Sequence, residues 1–267
     1  HELCSLMVPI GLCDTLIMDY EATDIRVVCE HPAVPEDESN LIHRAARLFF
    51  DRLESRRGDA RCGLCVRLEK KIPPGGGLGG GSSNAAQTLR GLNRHHGRPF
   101  LPAELEAMGL TLGADVPFFL QGQAALATGV GERLSPFSNL PRTHLILCSP
   151  GIAASTALVY KNLDLGLTKD SENYINTGLN MLRKSKTVDL ALLRNDLETS
   201  AFKLYPQIRQ IRDRMAKLLR RPVRMTGSGA CLFAVYENRE NARKGVDLLR
   251  EHGDRDGLTV FLTSFGQ

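Results

Sequence analysis

Apolar and polar positions change their period repeatedly along this 267-residue chain, from two to nearly four and back. Residues 64–70 set Leu64, Val66 and Leu68 against Cys65, Arg67 and Glu69, the alternation of a half-buried strand. Two earlier strands are predicted over 14–20 and 24–30. Between them and 64–70, residues 40–56 bring Leu41, Ala45, Leu48, Phe49 and Leu53 to one face of a helix that stops at Gly58. Residues 83–96 do the same with Ala86, Leu89, Leu92 and Asn93; Ser82 or Ser83 is the expected N-cap, Gly97 lies past the end, and His95 and His96 fall in the last turn, where a helix end is negative. Pro102 suits a first helical turn, so another helix is expected from there to about residue 111, followed by a turn at Asp115 and an apolar strand over 116–120.

From Thr143 the pattern opens with the strand Leu145-Ile146-Leu147 and grows richer in helices, predicted over 155–162, 176–183, 188–193 and 206–220. A strand over 231–236, a helix over 240–252 and a strand over 258–263 complete a β-α-β unit. The change near Pro141-Arg142 predicts two domains, 1–141 and 142–267, each mixing strands and helices.

Composition removes alternatives more than it adds any. The net charge of +4 is small and its basic residues are not interleaved with aromatics, which argues against nucleic-acid binding. The densest basic stretch, residues 209–221, alternates with Ile208, Ile211, Met215, Leu218 and Leu219 and predicts the solvated face of an amphipathic helix. No apolar run approaches the ~20 residues of a membrane-crossing helix. With no leader-like segment at the start, a cytoplasmic location is expected. Seven cysteines, an odd number mostly in apolar surroundings, predict reduced structural thiols. Cys62 and Cys65 have half-zinc spacing but no second such pair accompanies them.

The chemistry concentrates at residues 75–81, where six of seven positions are glycine, between a predicted strand and a predicted helix. Glycine lets a ligand approach the main chain closely, and a helix that follows offers unpaired N–H groups and the positive end of its dipole. That combination predicts a phosphate cradle. A Walker loop would need Gly-Lys-Ser/Thr at the helix start, and here the glycines run into Ser82-Ser83-Asn84. A dinucleotide fingerprint would follow its strand directly, where this chain has Pro73-Pro74, and would be trailed by an acidic residue closing the next strand, whereas Glu104 falls in a helical segment.

Residues 73–85 instead resemble the phosphate loop of the GHMP small-molecule kinases, Pro-x-x-x-Gly-Leu-Gly-x-Ser-Ser-Ala/Asn-Ala, at every defining position. Leu110-Thr111-Leu112-Gly113-Ala114-Asp115-Val116-Pro117-Phe118-Phe119, Gly129-Val130-Gly131-Glu132, Glu38-Ser39-Asn40-Leu41-Ile42 and Met225-Thr226-Gly227-Ser228-Gly229-Ala230-Cys231 extend the resemblance over most of the chain in the family's order. It implies an α+β, two-domain fold, with an N-terminal ribosomal-protein-S5-like α/β domain and a C-terminal ferredoxin-like α+β domain.

It also implies ATP as phosphoryl donor, held by Pro73, Pro74, Gly75, Gly76, Gly77, Leu78, Gly79, Gly80, Gly81, Ser82 and Ser83, with Lys70 and Asn40 at the nucleotide base. Ser83 is implied as a Mg²⁺ or phosphate ligand, and Asp115 as the base that accepts the substrate hydroxyl's proton. Thr226-Gly227-Ser228-Gly229, on its residues a turn between two strands, lies near the phosphate loop in the family. The implied acceptor is 4-diphosphocytidyl-2-C-methyl-D-erythritol, phosphorylated at its 2-hydroxyl on the non-mevalonate route to isoprenoid precursors, with His1, Met7, Tyr160 and Asp115 around it. Another small alcohol such as homoserine or mevalonate stays open. Family members place a strand with a Pro-Ala/Ser-Lys-x-Asn motif ahead of the segment that starts here at His1. Its lysine neighbours the catalytic aspartate, so the resemblance implies reduced activity, or nucleotide binding without turnover, for this stretch of sequence by itself.

Overall fold

A computed structural model describes residues 3–58, 63–129, 131–163, 188, 190, 193–253 and 257–266. The chain divides into two units, one of His1–Pro74 and Gly79–Phe137, the other of Gly75–Leu78 and Ser138–Gln267.

The first unit carries two three-stranded sheets. One is ordered β2 (Thr15–Asp19), β4 (Leu64–Glu69), β3 (Ile25–Val28), with β2 antiparallel and β3 parallel to the central strand. Leu64, Val66 and Leu68 of β4 are buried on one face, as their alternation predicts. The other sheet, β1 (Leu3–Met7), β5 (Ala125–Gly129) and β6 (Arg133–Pro136), is an antiparallel set absent from the sequence reading. Helix α1 (Leu41–Arg57) begins at Asn40, whose side chain accepts from the Ile42 N–H, and ends on left-handed Gly58. It buries Ile42, Ala45, Ala46, Phe49, Phe50 and Leu53 in one core with the inner face of β4 and with α2 (Gly80–His95), which contributes Ala85, Ala86, Leu89 and Leu92. Each of the isoleucine, leucine and phenylalanine side chains contributes about 1.5–3 kcal/mol of burial, which is what holds the glycine-rich start of α2 against this core.

Two expectations fail here. Helix α2 starts at Gly80, with Gly79 as its N-cap and no side-chain cap, so Ser82 and Ser83 lie inside the first turn. Residues 116–120 form a helix, α4 (Val116–Gln121), after α3 (Pro102–Leu112). A short apolar run cannot be told from a buried helix by period alone. Pro117 decides it, because it has no N–H for a ladder but fits a first helical turn.

The second unit is one antiparallel sheet ordered β10 (Thr259–Phe265), β7 (Thr143–Ser149), β9 (Leu232–Tyr236), β8 (Arg224–Met225). Among the described residues its helices are α5 (Thr156–Lys161), α6 (Leu197–Leu204), α7 (Pro206–Leu219) and α8 (Arg239–Gly253). Ile208, Met215 and Leu219 of α7 enter a core with Ile146, Leu232, Ala234 and Val246. Arg209 and Arg214 face outward as predicted, whereas Arg212 is partly buried with its guanidinium 5.1 Å from the Phe202 ring centroid. The helices expected over 176–183 and 188–193 lie outside, or largely outside, the described residues, as does Cys62. The other six cysteines are free thiols.

Candidate active site

Gly75, Gly77 and Gly79 adopt φ of +67°, +68° and +65°, so alternate residues from 75 to 79 are left-handed. Such a backbone is costly for any residue with a Cβ. The run ends on α2, a helix of 16 residues whose first turn has neither a side-chain cap nor an acidic residue. Its leading N–H groups and dipole end are therefore available to an anion. Ser83 donates its hydroxyl proton to the Gly80 carbonyl at 2.8 Å, which leaves the oxygen lone pairs to accept or to ligate.

Within the second unit, the turn predicted at Thr226-Gly227-Ser228-Gly229 joins β8 to β9 and grips Gly75–Leu78. Thr226 Oγ1 and the Cys231 N–H both donate to the Gly76 carbonyl, at 2.8 and 3.2 Å. A Cβ on Gly77 would lie 2.4 Å from the Thr226 carbonyl oxygen, so glycine is required there by space as well as by φ. Asn195, which the sequence reading passed over, steadies that turn by donating to the Met225 and Gly227 carbonyls at 3.0 and 2.7 Å.

Within the first unit, Phe119 of α4 lies against Gly79, where a Cβ would meet its ring at 2.7 Å. Asp115 precedes that same helix by one residue, and its carboxylate makes no hydrogen bond or ion pair with any described residue. More than a third of its surface is open, yet the protein around it is dense enough that desolvation raises its carboxyl above the ordinary carboxylate range. A reachable, unpartnered carboxylate with a raised pKa is suited to taking a proton.

Lys70 is nearly buried, its Nζ 2.6 Å from Asp14 Oδ2 and 3.0 Å from where a Cβ on Gly80 would sit. Asp14 was not singled out from sequence. Asn40 is also buried: besides capping α1 it donates to the Pro35 carbonyl at 2.6 Å. Met7 is partly buried on β1 opposite Ala125, and Tyr160 sits on α5 with 38% of its surface exposed. His1 lies outside the described residues.

Among the described residues, no cluster of three or more His, Cys, Asp or Glu could hold a metal ion. Mg²⁺ seldom needs one, since one or two protein oxygens plus substrate phosphates and water complete its octahedron. The lone pairs that the Ser83 hydroxyl keeps while donating to Gly80 fit such a single-ligand role. Among the described residues no helix is long and apolar enough to cross a membrane.

Comparison with known proteins gives the family. Residues 40–123 match the GHMP kinases N terminal domain, and residues 181–255 match the GHMP kinases C terminal family. Fold, phosphate loop and these matches define a GHMP kinase, a class of ATP-dependent enzymes with mixed helices and strands in two domains. A curated 4-diphosphocytidyl-2-C-methyl-D-erythritol kinase from Syntrophotalea carbinolica is 40% identical over 98% of this chain and 89% of its own length. One from Thermus thermophilus is 37% identical over 95% and 86%. A crystal structure of 4-(cytidine 5'-diphospho)-2C-methyl-D-erythritol kinase aligns with a TM-score of 0.77 at 35% identity, over 100% of this chain and 91% of that one. The chain belongs to the 4-diphosphocytidyl-2-C-methyl-D-erythritol kinase family. A homoserine kinase from Cytophaga hutchinsonii, at 17% identity and a TM-score of 0.70 over 95% of this chain and 85% of its own, shares the fold.

Proposed function

We propose that this chain transfers the γ-phosphoryl group of ATP to the 2-hydroxyl of 4-diphosphocytidyl-2-C-methyl-D-erythritol, on the non-mevalonate route to isoprenoid precursors, in the cytoplasm. The observation that carries the reading is the run of alternate left-handed glycines ending on an uncapped 16-residue helix. Phosphoryl transfer asks a protein mainly for positioning and for neutralising spread negative charge. Pro73 and Pro74 deliver the chain to the loop; the amides of residues 75–83 hold the polyphosphate, and Lys70 and Asn40 serve the nucleotide base. Mg²⁺, when bound, neutralises phosphate charge, and Ser83 is the side chain that would hold it.

Asp115 takes the proton of the acceptor hydroxyl. The freed oxygen bonds to the γ-phosphorus, the bond from that phosphorus to the bridging oxygen of ADP breaks, and ADP leaves with the electron pair. His1, Met7 and Tyr160 contact the acceptor, and residues 1–141 and 142–267 are the two domains. A coupled ADP assay over a panel of acceptors tests the reading. Turnover with the cytidylated alcohol and none with homoserine or mevalonate is expected; turnover confined to a non-cytidylated alcohol, or ATP binding without turnover, would overturn it.

A further inference from the structure

Asp14 lies one residue before β2, and its side chain exposes 1% of its surface. Each of its carboxylate oxygens accepts two hydrogen bonds. Oδ2 takes Lys70 Nζ at 2.6 Å and Asn84 Nδ2 at 2.9 Å; Oδ1 takes the backbone N–H groups of Lys71 and Ile72, both at 2.8 Å. Lys70, Lys71 and Ile72 are the last residues before Pro73, and Asn84 lies in the second turn of α2. A single buried carboxylate thus ties together the chain leading into the glycine run and the helix leaving it, all within the first unit.

A buried ion pair is often no more stabilising than apolar residues of the same volume. What this one adds is geometry: it fixes both flanks of a loop whose amides must meet phosphate oxygens, and it parks a lysine ammonium beside Gly80, at the uncapped start of α2. Catalytic geometry is sensitive to displacements of about 1 Å.

We propose that Asp14 is a positioning residue for ATP, acting through Lys70, Lys71, Ile72 and Asn84 to hold the phosphate loop in its binding conformation. This rests on the reading of that loop as the ATP site. In Asp14→Asn, an isosteric change that removes the charge, the ATP KM should rise about tenfold or more, the loss expected for a charge-assisted hydrogen bond network. KM for the acceptor alcohol should stay within about twofold, since none of the residues bonded to Asp14 is among those proposed for the acceptor. Hydrogen exchange supplies a readout independent of activity: the Lys71 and Ile72 amides should exchange about tenfold or more faster, while the β4 amides keep their protection.

An unchanged ATP KM beside a lowered melting temperature would show a structural role only and overturn the proposal, as would a parallel rise in both KM values. If Asp14→Asn does not fold, Asn84→Ala replaces it, leaving the carboxylate on Lys70, Lys71 and Ile72 and cutting its tie to α2; weaker ATP binding by calorimetry supports the proposal and unaltered binding overturns it. A wild-type chain that binds ATP without transferring phosphate would sink the kinase reading, while the ATP affinity of Asp14→Asn would still decide this one.

Discussion

Asp14 and Asp115 are both carboxylates of the first unit, and their surroundings push them in opposite directions. Desolvation acts on each and by itself raises a carboxyl. At Asp14 the hydrogen bonds from Lys70, Ile72, Lys71 and Asn84 outweigh it and hold the group below the ordinary carboxylate range. At Asp115 nothing opposes it and the group rises. What separates them is partners: four hydrogen bonds hold Asp14 down and none opposes the rise at Asp115. Paired titratable groups driven apart in this way usually divide the labour, one fixing structure and the other moving protons.

The strongest blow to this contrast comes at Asp115. Asp115→Asn should lower kcat by roughly 10²–10⁴-fold, the contribution of a positioned base. Its melting temperature at neutral pH should hold or rise, because a group whose folded pKa is raised above its unfolded value costs stability once both forms are ionised. A large fall in melting temperature with kcat intact would mean that Asp115 is structural.

The matching change at the other carboxylate reverses the pattern. Asp14→Ala leaves the Lys70 ammonium buried with no counter-charge, at a cost of about 3–5 kcal/mol in unfolding free energy. Denaturant titration checks this, and a loss under about 1 kcal/mol, the worth of an exposed pair, would show that water reaches the pair.

Acid separates the two groups without mutation. Asp14 has a depressed folded pKa, so its contribution is fully present above the unfolded carboxylate value of about 3.9 and is lost as pH falls from there through the folded value. Asp115 has a raised folded pKa, so the acid limb of kcat/KM should lie above about 3.9, at pH values where Asp14 is still ionised and the loop still held. Activity should therefore fall on acidification before stability does. Coincident midpoints in the pH–rate profile and in circular dichroism would break the assignment.

Much of this was readable from sequence where the signal is local. The alternation of Leu64, Val66 and Leu68, the Asn40 and Gly58 boundaries of α1 and the glycine run each depend on neighbours within a few residues. The start of α2 was misplaced by three residues because serine caps are common and a left-handed glycine cap is not. The apolar run over 116–120 has the composition of a strand, and only Pro117, which fits a first helical turn, marks it as a helix. Asp14 was invisible for a different reason: its partners lie 56 to 70 residues away, and nothing in Cys13-Asp14-Thr15 marks it. Asn195 escaped likewise, reaching carbonyls 30 and 32 residues on. The chemistry was legible at the loop, while the groups that hold the loop were not.

The smallest expected effect sharpens the contrast by removing charge from it. Asn40 is also buried in the first unit and makes two side-chain hydrogen bonds, to the Ile42 N–H and the Pro35 carbonyl, but both are neutral. Asn40→Ala should therefore cost about 1 kcal/mol, the usual worth of a helix N-cap, with little dependence on pH between 4 and 8, since no titrating group loses a partner. A stability curve parallel to wild type over that range would attribute the acid sensitivity to carboxylates such as Asp14. A loss as large as that of Asp14→Ala would mean that neutral and charged anchors count alike in this unit, and the distinction between the two aspartates would lose its physical basis.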